Sequence, residues 1–373
     1  MDKDKLLIAV HDNDDVQCAG YRGQTAFPLG LIKGFNEIGV KSCFVSECEK
    51  TGISPNLVIG FNSNGLSKWQ KYLNQDITNI MWCTDSVFYK HFDIVQQFAQ
   101  YKKFVMFNSG ANDIEALKHY IPKLIHGYIP FGVDLDFWKK QDTEKEFDIT
   151  FVGSIGDYEE QIQKLKEIMP SLVFNLMMEF CEVAIAKPGL ALWDIYTFFK
   201  KQLGLEFDAS QYVLMARSVS SVITYKQRIK MIQALKDFNI TILGEGPWEK
   251  YITGNMKLYK GKDIKDTRTL LNKSKITLHS QPFQLSGGVH DRVLNASAME
   301  TMVLTAENPT LSVEFGDSLA YCNPVTYEDI AEKADYYLKN ENERIALAQK
   351  ASEIVKSRYK WSDRAQNIVD IIN

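Results

Sequence analysis

The chain carries little that would tie it to metal, redox or membrane chemistry. Its six cysteines, Cys18, Cys43, Cys48, Cys83, Cys181 and Cys322, are scattered, with no CxxC pair and no histidine cluster beside them. A structural zinc site has nothing to build on, and the thiols read as reduced core residues of a cytoplasmic protein. Positive charge is not in excess either. The formal net charge is −4, which argues against DNA or another long polyanion as the main partner. Long apolar runs are missing. The run 6–10 is too short for the core of a signal peptide. The greasiest stretch, 171–193, carries Glu179, Glu182 and Lys187 and is interrupted by Pro188, whereas a membrane span needs about 20 mostly apolar residues. A buried helix pair is expected there. No GxGxxG follows the first apolar run, which weighs against a dehydrogenase. No internal repeat or low-complexity segment is present.

With 373 residues the chain exceeds one ordinary core, so two domains are expected. Over 1–130, short apolar runs at 6–10, 42–45, 57–61, 77–82, 104–107 and 124–129 alternate with stretches of helical spacing such as 25–38. That alternation predicts a parallel sheet covered by helices on both faces. The rhythm breaks at 130–134, Pro-Phe-Gly-Val-Asp, and residues 135–146 read as a linker. It restarts at 147–152 and resumes at 240–243, 257–259, 276–279 and 302–305. Residues 160–222 are helical in pattern and longer than one crossover needs, so they read as an insertion. The tail 327–372 reads as two or three amphipathic helices.

In an open parallel sheet ligands bind beyond the C-terminal strand ends, where helix N-termini present free N–H groups suited to a diphosphate. The strongest local feature follows the strand 276–279. There Gly287 and Gly288 precede a helix expected to begin near His290, with Arg292 inside its first turn. Glycines let backbone approach a phosphate, and His290 and Arg292 add side-chain donors. An ordinary strand-to-helix loop with surface charges is the rival reading. A second feature, Gly244-Glu-Gly246-Pro-Trp248, follows the strand 240–243 and would hold either a nucleoside or only a tight turn.

These pieces together resemble the CgeB-like glycosyltransferases, relatives of the broad "glycosyl transferases group 1" families. The motifs stand in the family's order: Phe151-Val-Gly-Ser154, Tyr225-Lys-Gln-Arg228 leading a helix, Ile242 to Trp248, Leu271 to Leu278, Gly288 to Ala298, Val303 to Pro309 and Phe315-Gly-Asp317. The match is good over 224–363. It is weaker over 1–155, where Trp82-Cys-Thr-Asp85 and Ile129 to Asp134 carry it, and 158–222 has no counterpart. The resemblance implies an α/β fold of the GT-B type, two Rossmann-like domains facing across a cleft. The acceptor-side domain would be 1–134, the linker 135–146 and the nucleotide-sugar domain 147–360, with 361–373 packing back on the first domain. It also implies sugar transfer from a nucleotide sugar, UDP-linked, without a metal or other cofactor, to an unidentified acceptor hydroxyl. Many relatives carry two glutamates spaced E-x7-E. The aligned positions here are Gly287 and Asn295, so both carboxylates are missing. The CgeB-like branch tolerates this with an Arg–Asn pairing that Arg292 and Asn295 match, and a retaining mechanism borrowed from E-x7-E enzymes loses its basis.

Other candidates follow from position. His11, after the first strand, and Asp85, after the strand 77–82, are candidate bases for deprotonating an acceptor. Asp12-Asn-Asp14 spells DxD, but a site just past the first strand is wrong for a metal-diphosphate role. Arg228 is expected to open a helix and either reach the diphosphate or make a surface ion pair. Glu307 and Asn308 follow a strand end where ribose or sugar hydroxyls need acceptors. A nucleotide-sugar epimerase of the same architecture, or a binding protein that has lost chemistry, are the rival functions.

Overall fold

The computed structural model describes residues 6–11, 23–62, 66–73, 75–261 and 263–372. The DxD candidate lies outside them, and so do Gly20, Tyr21 and Arg22 of the segment Gly20-Tyr-Arg-Gly23, which by its position after the first strand would shape the acceptor side. The chain forms two compact units, one of residues 1–135 with 357–373, the other of residues 136–356.

The first unit holds the strands β1 (Leu7–Val10), β2 (Lys41–Phe44), β3 (Leu57–Phe61), β4 (Thr78–Cys83), β5 (Phe104–Asn108) and β6 (Ile125–Tyr128). All pair in parallel, in the order β2-β1-β3-β4-β5-β6. β3 is buried at all of its positions, which is why its sequence, Leu-Val-Ile-Gly-Phe, is apolar without alternation. The order reverses between β1 and β3, and His11 directly follows β1 at that switch.

The helix Gly23–Glu37 carries two glycines on the side that meets the C-terminal helix Trp361–Ile372. A Cβ on Gly30 would lie 2.2 Å from the Trp361 Nε1, and one on Gly34 2.4 Å from the Trp361 backbone oxygen. The indole fills the space these glycines leave, with ring centroids 5.9 Å from Phe27 and 5.8 Å from Trp82. Val133 is tied to the same return segment by its N–H donating to the Tyr359 carbonyl at 2.7 Å.

The second unit holds β7 (Phe147–Val152), β8 (Ile240–Leu243), β9 (Lys257–Leu258), β10 (Ser274–His279), β11 (Met302–Ala306) and β12 (Ala320–Cys322), again all parallel, in the order β12-β11-β10-β7-β8-β9. The short β12 was not expected from the sequence. Ile149, Phe151, Ile242, Ile276, Leu278 and Leu304 form the centre of its core. The order reverses between β7 and β10. Residues 136–146 belong to this unit: Phe137 lies under the Arg268 guanidinium at 4.6 Å, and the Gln141 N–H donates to the Asn272 Oδ1 at 2.9 Å.

Between β7 and β8 run four helices, Tyr158–Ile168, Ser171–Ala186, Leu192–Leu203 and Ala209–Gln233. The last begins with an Asp208 capping box and continues for 25 residues. Arg228 therefore sits near its C-terminal end, not at a helix start as the sequence suggested. Nothing in 209–233 breaks a helix: there is no glycine or proline, and the segment that leads back to the sheet simply continues the inserted one.

Candidate functional site

The sheet switch of the second unit collects the charged side chains. Gly153 and Ser154 follow β7. Arg228 reaches them from the long helix, its Nη1 donating to the Ser154 carbonyl, and is itself buried. Arg292 arrives from the other side, on the helix Asp291–Ala298, with its Nη1 3.5 Å from where a Gly153 Cβ would stand. Two guanidiniums thus converge on one loop from two helices.

Two imidazoles complete the cluster. His279 ends β10, and its ring lies 5.5 Å from that of His290, the residue preceding the helix Asp291–Ala298. The His279 Nδ1 contacts the Thr305 hydroxyl at 3.1 Å, while its buried Nε2 has no protein partner. Burial pushes the His279 pKa well below the ordinary histidine value, reinforced by His290, Arg292 and Arg228. Burial likewise lowers His290, against the opposing pull of Asp291. The His290 Nδ1 lies 2.9 Å from an Asp291 carboxylate oxygen and 3.2 Å from the Arg292 N–H. One nitrogen of a neutral ring cannot donate and accept at once. The shorter contact joins two acceptors unless a proton lies between them, so we place the proton on Nδ1, donated to Asp291. Burial pushes the Asp291 pKa up, but His290 and Arg292 outweigh it and hold the carboxyl below its usual value.

Both imidazoles are neutral in the fold and take up protons in the unfolded chain below about pH 6.5. Their contribution to stability is therefore complete above that pH and is lost as pH falls through it. Melting temperatures of wild type and His279→Gln between pH 7.5 and 5.5 check this. Wild type should lose more stability on acidification than the variant, and parallel curves would refute it.

The glycine-rich turns differ in what they do. A Cβ on Gly244 would lie 1.8 Å from the Gly153 carbonyl oxygen, and one on Gly246, whose φ is +103°, 1.8 Å from that of Ile155. The two glycines are therefore required by packing of the 244–246 turn against the 153–155 loop. Trp248 is wholly buried and donates to the Gly153 carbonyl at 3.0 Å. Gly287 and Gly288 lie before the helix Asp291–Ala298, and Gln281 braces them, its Nε2 donating to the Leu285 carbonyl at 2.6 Å and the Gly288 carbonyl at 3.0 Å. Asn295 lies one turn after Arg292 and is buried.

Asn308 caps the helix Pro309–Phe315, its Oδ1 accepting from the Thr310 and Leu311 N–H groups, while its Nδ2 donates to the Ser286 carbonyl at 3.4 Å. Its amide is committed to structure. Glu307 is exposed beside it.

In the first unit His11 is 1 % exposed and lies edge-on to the Tyr72 ring at 6.2 Å. Asp85, past the end of β4, is half-buried. Sequence reading missed Asp113, which accepts from the Ser86 hydroxyl at 3.0 Å and the Val87 N–H at 2.9 Å and whose pKa burial pushes up to about 6. It also missed His279 and Gln281. Among the described residues no group of three or more His, Cys, Asp or Glu is arranged to hold a metal ion, and no helix is long and apolar enough to cross a membrane.

Residues 226–370 match a family model described as "Glycosyl transferase-like". An uncharacterized protein of Aquifex aeolicus is 19 % identical over 259 residues, covering 66 % of this chain and 64 % of that protein, so the chain spans less than two thirds of this relative. Among solved structures, sucrose-phosphate synthase from Thermosynechococcus elongatus superposes with a TM-score of 0.59 at 8 % identity, over 99 % of this chain and 98 % of that one. The T4 phage protein BGT, solved in complex with its UDP-glucose substrate, gives 0.56 at 12 %, over 98 % and 100 %. Anabaena HepE, solved in complex with UDP and glucose, gives 0.54 at 10 %, over 98 % and 99 %. At such identities the likeness establishes the fold, two parallel six-stranded sheets with helices, of the GT-B type.

Proposed function

We propose that this protein, with its glycosyl transferase-like C-terminal stretch, is a metal-independent hexosyltransferase of the CgeB-like branch that takes its sugar from a UDP-linked donor. The observation that carries the reading is the convergence of Arg228 and Arg292 on the Gly153–Ser154 loop, beside His279 and His290, at the switch point of the second sheet. Two permanent positive charges, with two neutral imidazole rings beside them, gathered where open α/β sheets hold ligands suit a dianion. The diphosphate is assigned to Arg228, Arg292 and the backbone of Gly287–Gly288. Gly244 and Gly246 are left to packing.

In the reaction the acceptor oxygen bonds to the anomeric carbon as the bond from that carbon to the phosphate oxygen breaks. The acceptor proton passes to a base, and UDP leaves with its developing charge on the two arginines. Of the two candidate bases, exposure favours Asp85, since His11 is enclosed against Tyr72. At rest the thiols are reduced in the cytoplasm this assigns it to. The test is calorimetric titration of UDP together with UDP release from UDP-glucose. Asp85→Asn should lower turnover about 10²- to 10⁴-fold with UDP affinity unchanged. No UDP binding at millimolar concentration would overturn the reading.

A further inference from the structure

The first unit carries a pair of sulfurs that the proposed reaction does not use. Cys43 lies on β2, the edge strand of its sheet, opposite Ala9 of β1. Cys48 lies on the short helix Val45–Thr51, into which β2 runs without an intervening loop. Both are thiols, and their Sγ atoms stand 2.9 Å apart. That is closer than two sulfurs come in ordinary van der Waals contact. A disulfide needs about 2.05 Å, so a closing of roughly 0.9 Å would join them.

The backbone fixes both residues. β2 pairs with β1 over its whole length, from Lys41 with Leu7 to Phe44 with Val10. The helix is held at its start by the Glu47 carboxylate, which accepts from the Phe44 N–H at 3.0 Å. It ends at Gly52, whose φ of +69° turns the chain so that the Ile53 N–H reaches the Cys48 carbonyl at 3.2 Å. Cys48 is buried with Ala9, Val45, Val58, Tyr72 and Ile77, and Cys43 packs half-buried against that cluster. Strand and helix therefore set the spacing of the two thiols. Burial also divides their roles. A reagent in solution meets Cys43 first, and Cys48 stands behind it, within reach of any bond that Cys43 makes.

We propose that Cys43 and Cys48 form a reversible dithiol–disulfide site, oxidised by small-molecule disulfides of the glutathione class. At rest the pair is reduced. The Cys43 thiolate attacks one sulfur of the small disulfide, forming a mixed disulfide and releasing one small thiolate. The Cys48 sulfur gives up its proton and attacks the Cys43 sulfur, and the second small thiolate leaves. Two protein thiols become one disulfide, and one small disulfide becomes two thiols that carry the two cysteine protons. The new bond ties the edge strand to the helix that follows it. The site does not depend on the glycosyltransferase reading.

One tryptic fragment reads the state of both residues. Cleavage after Lys41 and Lys50 releases 42–50, Ser-Cys-Phe-Val-Ser-Glu-Cys-Glu-Lys, which holds Cys43 and Cys48 and no other cysteine. The whole protein is equilibrated in buffers of reduced and oxidised glutathione, alkylated, digested and weighed by mass spectrometry. The disulfide appears as a fragment two hydrogens lighter and closed to alkylation. Half-oxidation of the folded protein should occur at a value of [GSH]²/[GSSG] about 10-fold higher than for the guanidinium-unfolded chain, because the fold presets the contact. A folded-state value no higher than the unfolded one would overturn the proposal, as would a folded protein that stops at the mixed disulfide. Cys48→Ser should leave Cys43 carrying one glutathione, and Cys43→Ser should leave Cys48 unmodified; glutathione on Cys48 in the latter would refute the order of attack. Hydrogen exchange over 41–52 should slow in the oxidised protein, and unchanged exchange would refute the fastening of strand to helix. None of these measurements uses a nucleotide or a sugar, so their outcome is separate from that of the function proposed above.

Discussion

Trp361→Ala should cost the first unit about 3–5 kcal/mol, the range for removing a large buried aromatic side chain. The indole is 4 % exposed and is surrounded by Phe27, Phe61 and Trp82. Gly30, Gly34 and Gly132 all leave room for it or its backbone, with Cβ positions 2.2, 2.4 and 2.6 Å from Trp361 atoms. The core was built around this residue, so the cavity left behind cannot collapse easily. Gly34→Val should be at least as harmful, because the atom it strikes is a backbone oxygen that no rotamer change can move. Calorimetric melting gives the measurement. Each kcal/mol lowers the midpoint by about 2–4 °C for a unit of this size, so a midpoint within 2 °C of wild type in Trp361→Ala would refute the assignment.

Arg228→Ala and Arg292→Ala should each weaken UDP binding by roughly 10- to 150-fold, the equivalent of one charge-assisted hydrogen bond of about 1.5–3 kcal/mol. The two should not be additive. Both side chains bear on the 153–154 loop, and Arg228 also holds the Ser154 carbonyl, so removing it disturbs the surface Arg292 works against. Arg228→Lys should recover little, because a point charge does not reproduce a planar fork. Titration of UDP into the single and double variants, with circular dichroism as the folding control, decides it. A double variant that is folded and binds as wild type would remove the cluster from the site.

The alternation of apolar runs and helical stretches made both parallel sheets readable, because strands buried on both faces spell themselves out as continuous apolar runs. What escaped is informative. β12, Ala-Tyr-Cys, is too short to carry a pattern. Arg228 was misplaced within its helix because the inserted helix and the crossover are one uninterrupted segment, with no residue to mark the join. The glycines at 244 and 246 were legible as positions needing glycine. The need is for contact with the neighbouring 153–155 loop, which only the tertiary fold reveals. His279 and Gln281 look like ordinary residues in the sequence. What singles them out, a buried nitrogen without a protein partner and a brace on the glycine loop, cannot be read along a chain.

The return of residues 357–372 to the first unit also sets an order of events during synthesis. Residues 1–135 leave the ribosome first, yet the indole that fills their centre emerges only after the whole of the second unit has been made. Until then the nascent first unit has its sheet strands but an unfilled aromatic hollow lined by Phe27, Phe61 and Trp82. The second unit, continuous in sequence, can close on its own. Folding of this chain therefore runs against the usual N-to-C direction, with the unit begun first completed last.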